Sequence, residues 1–164
     1  MRRSMLFMAS LSLLAMASAF PGRLSAQNGT PPQDASVSFD VNPGDPFGSC
    51  AFPINITTEG KGKTIVLPTG NLIFTSPGLR ATVTNLDDPT KKIDLVITGV
   101  FHVTPTPDGG MFFKVTGRNL LTDPYAGVVL VTGNFSFAFD AAGNLTQPLT
   151  MKAGIVTDLC AALN

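Results

Sequence analysis

Apolar and polar positions alternate along most of this chain, and the alternation is clearest from Ile93 to Asp140. Odd positions there carry Ile93, Leu95, Ile97, Phe101 and Val103, then Phe113, Val115 and Leu121, then Val129, Val131, Phe135, Phe137 and Phe139, with Asn119 the exception. Even positions carry Asp94, Thr98, His102, Lys114, Thr116, Arg118, Thr132, Asn134 and Ser136, diluted by Val96, Val100, Phe112, Leu120, Val128 and Leu130. A period of two predicts strands with a buried odd face and a mostly wet even face.

Three of these runs share a local pattern: Ile97-Thr98-Gly99, Val115-Thr116-Gly117 and Val131-Thr132-Gly133. Between the first two lies Thr104-Pro105-Thr106-Pro107-Asp108-Gly109-Gly110, where the prolines fix φ and Asp-Gly-Gly supplies a hairpin tip. Reflection about Asp108 places Gly99 opposite Gly117, and reflection about Tyr125 in the next turn places Gly117 opposite Gly133. A one-residue slip would exchange the two faces, so parity supports this register. Three aligned glycines predict a sharp bend in the sheet; the rival reading is that they open space for a ligand against the backbone.

The rest of the chain reads as shorter strands: Val37 to Val41, Ser49 to Thr57, Thr64 to Leu67, Asn71 to Thr75, Leu79 to Thr84, Leu145 to Thr150 and Gly154 to Cys160. Turn signals separate them, and no helix is expected beyond the N-terminus; Asp158 to Leu163 adds one uncapped turn at most. Nine or ten strands so spaced predict an all-β fold, an antiparallel meander closed into a single barrel, with a two-sheet β-sandwich as the alternative.

The first 26 residues read differently. Met1-Arg2-Arg3 precedes an apolar run from Met5 to Ala17, and small-residue cleavage sites follow at Ala17-Ser18-Ala19 and Leu24-Ser25-Ala26. This is the pattern of a cleaved secretory signal helix, too short to span a bilayer, and it predicts an exported, extracellular protein. The division is then a signal peptide over 1–26, a flexible leader over 27–35 and one β-domain over 36–164. Without Arg2, Arg3 and Arg23, eight basic residues face eleven acidic ones, a net charge of about −3 with no basic cluster. That argues against nucleic acid as a partner.

Cys50 and Cys160 are the only cysteines, and an exported chain most economically joins them in a disulfide. Redox work by the pair is the competing reading, but Cys-x-x-Cys is absent. Catalytic candidates are sparse. His102 is the single histidine, and the register sets it beside Lys114, which suits a solvated face better than a general base. One histidine without free thiols supports no zinc site, and Asp87-Asp88 with Asp45 lack the spacing of a calcium loop. No cofactor and no catalytic residue is assigned.

At Cys50-Ala51-Phe52-Pro53-Ile54, Ala81-Thr82-Val83-Thr84-Asn85-Leu86, Thr116-Gly117-Arg118-Asn119-Leu120-Leu121 and Thr157-Asp158-Leu159-Cys160-Ala161-Ala162-Leu163, the chain resembles a group of small secreted actinobacterial proteins of unknown function. The resemblance implies export and supports the Cys50–Cys160 bridge. It implies no activity.

Three functional readings follow. The first is a non-catalytic exported β-domain that binds a small apolar ligand, or a cell-envelope component, with Phe101, Phe113, Phe135 and Phe137 lining the concavity. The second is a structural or adhesion module with a solid core and an exposed apolar or Thr-rich patch. The third is a small secreted hydrolase or barrel isomerase in which His102, Arg118 or loop aspartates converge in one cleft.

Overall fold

The computed structural model describes residues 31–46 and 48–164; the expected signal helix over 1–26 and the start of the leader lie outside them. Eleven strands and one short helix follow in order: β1 Gln33–Asp34, β2 Val37–Val41, β3 Ile54–Glu59, β4 Lys61–Val66, β5 Leu72–Thr75, β6 Arg80–Asn85, β7 Lys92–Val96, β8 Val100–Pro105, β9 Met111–Asp123, β10 Gly127–Phe139, β11 Leu145–Asp158 and α1 Leu159–Ala162. The leader expected over 27–35 therefore contributes β1, which pairs with Lys61 and Gly62.

The single closed barrel is not formed. The strands make two open antiparallel sheets, one of seven strands in the order β1-β4-β5-β8-β9-β10-β11 and one of four in the order β2-β3-β6-β7. The reason lies at the corners. The chain passes from one sheet to the other between β1 and β2, between β3 and β4, between β5 and β6, and between β7 and β8. The four strands that peel away pair with one another, so among the described residues β11 has no neighbour beyond β10 and forms an edge.

The meander registers hold. Phe101 faces Val115 across β8–β9, and Gly117 faces Gly133 across β9–β10. The row extends further than expected, because Gly133 in turn faces Gly154 of β11. Gly117 has φ +82°, and a Cβ there would lie 3.1 Å from the Cα of Gly99. The row bends the long strands. Gly99 is a glycine for another reason: its missing side chain leaves the space filled by the amide of Asn119. That asparagine, a polar residue on the odd face, is buried and donates from Nδ2 to the carbonyl of Thr116 at 3.0 Å.

Two apolar clusters result. The first joins the sheets: Ile54, Ile56, Val83 and Leu95 of the four-stranded sheet pack with Val128 and Leu130 of β10 and with Leu159 and Leu163 around α1. The second lies on the other face of β10 and contains Val115, Val129, Val131 and Phe135, flanked by Phe101, Leu121, Phe137 and Leu149. The even face expected to be mostly wet is thus dry at Val128 and Leu130, where the second sheet covers it.

Cys50 and Cys160 form the disulfide, with Cα atoms 5.2 Å apart. Neither lies in a strand. The strand expected from Ser49 starts only at Ile54, and Cys160 sits in α1. Nor is α1 uncapped: Asp158 Oδ1 accepts from the backbone N–H of Ala161 at 3.0 Å. Buried Asn85 locks this end to the β6–β7 turn. Its Nδ2 donates to the carbonyl of Leu163 at 3.0 Å, while its Oδ1 accepts from the N–H groups of Asp87 and Asp88 at 2.8 and 3.2 Å.

Candidate functional site

The second cluster has a filled centre and an open rim. Phe135 is 1% exposed, and Phe113 and Phe137 stack with ring centroids 4.8 Å apart, each meeting Phe139 edge to face. Such pairs contribute about 0.5–1.5 kcal/mol beyond their buried area, so these rings serve as core. Of the four phenylalanines expected to line one cavity, Phe137 lines a small recess and Phe135 an open groove. Leu121, Phe137, Phe139 and Leu149 leave a recess of about 30 Å³, the size of one water. Phe101 lies partly buried against the cluster, and of the four only Phe135 reaches the open groove described next.

That groove, of about 440 Å³, runs between the β9–β10 turn and β11. Its walls are Tyr125 and Ala126 on one side and Leu149, Met151 and Val156 on the other, with Phe135 beneath. The turn is held by buried Asp123, whose Oδ1 accepts from the N–H groups of Tyr125 and Ala126, both at 2.9 Å. Cross-strand partners share a face. Phe135 pairs with Met151 and Val131 with Val156, which sets both β11 side chains over the second cluster.

β11 carries the unusual exposure. Every residue from Thr150 to Asp158 is exposed, including Met151 at 54%, Ile155 at 67% and Val156 at 44%; Tyr125 across the groove is 81% exposed. Singly exposed apolar residues are ordinary, but here Met151 and Val156 share the groove face while Ile155, paired with Thr132, lies on the other, so the edge is apolar on both of its faces. The opposite surface of the molecule differs. On the outer face of the four-stranded sheet, Asn55 Nδ2 donates to Asp40 Oδ1 at 2.7 Å, Thr82 Oγ1 donates to Asp94 Oδ1 at 2.7 Å, and the hydroxyls of Ser38 and Thr57 meet at 3.0 Å. The threonine-rich face is largely satisfied by its own neighbours.

No protein-family model, no curated protein and no solved structure matches this chain. The site's own chemistry therefore carries the reading. His102 pairs across the sheet with Lys114 and Ile73 and is exposed; Arg118, exposed beyond the Gly117 bend, pairs with Thr132. Neither reaches the groove or the two smaller recesses. The perturbed aspartates belong to turns. The Asn144 side chain and backbone hold the Asp140 carboxyl below its ordinary value, and Thr90 does the same for Asp88, Thr106 for Asp108 and Ser36 for Asp34. Among the described residues no three His, Cys, Asp or Glu gather as a metal site. No helix among them is long and apolar enough to cross a membrane.

The strand expected over Gly154 to Cys160 and the one expected over Leu145 to Thr150 are not separate. They are one strand, carried past register shifts opposite Asn134 to Phe139. The missed signal was parity: Met151 and Val156 fall on one face only when one extra residue is inserted between them.

Proposed function

We propose that this chain is an exported structural or adhesion module, acting through the apolar flank of β11 and the groove beside it rather than through an enclosed ligand cavity. The observation that carries the reading is the pairing of a filled core with Met151, Ile155 and Val156 exposed along a free sheet edge. A filled second cluster leaves little room for a carried apolar molecule, whereas an open strip beside an edge strand suits a broad, shallow contact. The partner in this reading is a component of the cell envelope or another exported chain.

The test is retention of the chain from Gln27 onward on isolated envelope of the exporting cell. Met151→Ser combined with Val156→Thr makes the strip polar while keeping strand-compatible residues, and it should reduce retention at least ~10-fold. Thr82→Lys, on the self-satisfied face, should leave retention unchanged. Equal retention of all three proteins, or loss only with Thr82→Lys, would overturn the reading.

A further inference from the structure

We infer that the free edge of β11 pairs with β11 of a second copy of this chain, antiparallel about a two-fold axis at Ile155. The inference rests on the proposed working surface and narrows its occupant to one.

The two halves of β11 are built differently. The first half carries the usual devices that blunt an edge: Pro148, which has no N–H to donate, Lys152, and the register shifts opposite Asn134 to Phe139. From Ala153 to Asp158 these devices stop. The run Ala153-Gly154-Ile155-Val156-Thr157 has no proline, no charge and an unbroken register with β10, from Asn134↔Ala153 to Val129↔Asp158. An exposed apolar edge in unbroken register, bent at Gly154 (φ +145°), offers a template for another strand.

The charges at the two ends of that run select the partner and the register. Pairing about Ile155 sets Ile155 against its own copy, Gly154 against the partner's Val156, Ala153 against the partner's Thr157, and Lys152 against the partner's Asp158. Both copies make the last contact, so the seam carries two opposite-charge pairs. Moving the axis by one residue, to Gly154 or Val156, sets Lys152 opposite the partner's Val156 or beyond the end of its β11 and leaves both charges unmatched. Only the axis at Ile155 joins them. Asp158 caps α1 through Oδ1, and its Oδ2 takes the ammonium group. An axis normal to the sheet keeps the same faces together, so both grooves open on one side of the joined sheet.

Sedimentation of the chain from Gln27 onward, unreduced and up to roughly 500 μM, tests this. The wild type should shift to twice the monomer mass with rising concentration. Ile155→Lys puts two like charges on the axis and should weaken the dimer on the order of 100-fold. Lys152→Glu and Asp158→Lys should each weaken self-association at least ~10-fold, and an equimolar mixture of the two should recover it, since the heterodimer alone has both charge pairs attractive. Asp158→Asn keeps a capping side chain and removes the charge, so weakening by this variant separates pairing from loss of the cap. A wild type that stays monomeric, a dimer indifferent to Ile155→Lys, or a mixture that stays as weak as its components overturns the inference. A monomeric wild type still retained on envelope through Met151 and Val156 would sink the dimer and leave the module; a dimer without retention would do the reverse.

Discussion

The two faces of β10 make a comparison within one strand. Val128 and Leu130 point one way and are covered by a second sheet and α1; Val129 and Val131 point the other way and are covered only by the curl of their own sheet and its phenylalanines. Both faces are dry. Yet the layer that closes the first face is separate, tied down by a disulfide and by Asn85, whereas the second face runs out at its rim into a groove. Curvature replaces a second layer for the middle of a sheet and fails at its edge, and the edge is where this molecule exposes Met151, Ile155 and Val156.

Removing the tether should break the comparison most strongly. Cys50→Ser with Cys160→Ser should cost about 2–5 kcal/mol, given a bridge spanning 110 positions. Hydrogen exchange should rise around Ile54, Val83 and α1 before it rises around Val115. Uniform acceleration would mean that the two clusters are one cooperative unit.

The next test uses one substitution on each side. Val83 and Val131 are both fully buried. Val83→Ala, between two sheets, should cost about 2–3 kcal/mol, and Val131→Ala about 1 kcal/mol less, because the open cluster can settle toward the lost volume. Chemical denaturation of the two variants reads the difference directly.

Gly117→Ala probes the bend in the long strands. At φ +82° a Cβ is strained, and it would press on Gly99 at 3.1 Å, so a loss of about 1–2 kcal/mol is expected in the same denaturation series. A neutral effect would show that the bend does not depend on this position.

The smallest effect is electrostatic. The Asp140 carboxyl is held below its ordinary 3.8 by the Asn144 side chain and backbone at an exposed hairpin tip. A lowered native value stabilises the fold above pH 3.8, and that contribution disappears as pH falls through the native value. Asp140→Asn should therefore lower the melting point slightly at neutral pH and converge with the wild type in acid. A gap that widens in acid would contradict the assignment.

How much of this was legible in the residues follows from how local each signal is. Hairpin tips at Asp108 and Tyr125 and the parity of Phe101, Val115 and Val131 are short-range, and the registers they predict are the ones observed. Closure is not short-range. Whether β11 meets another strand depends on chain corners at Gly60, Gly78 and Gly99 that send whole strands to a second sheet, and nothing in the alternation of β11 reveals that. The dry even face at Val128 and Leu130 has the same origin. The groove was hidden for a different reason: the bulge at Met151 and Lys152 reverses parity within one strand, so Met151 and Val156 do not look like neighbours. Asp158 was visible as a capping residue type, but its partner Ala161 lies in a helix of four residues, too short to give a periodic signal.

The central claim, that the β11 flank is the working surface, is tested most directly by hydroxyl-radical footprinting of Met151. Oxidation of this side chain is compared between the chain on the cells that produce it and the isolated chain at low concentration. The account predicts that Met151, 54% exposed in the single chain, is protected several-fold on the cell, while Thr82 and Asp94 on the opposite sheet react alike in both states. Equal oxidation of Met151 in both states would contradict it.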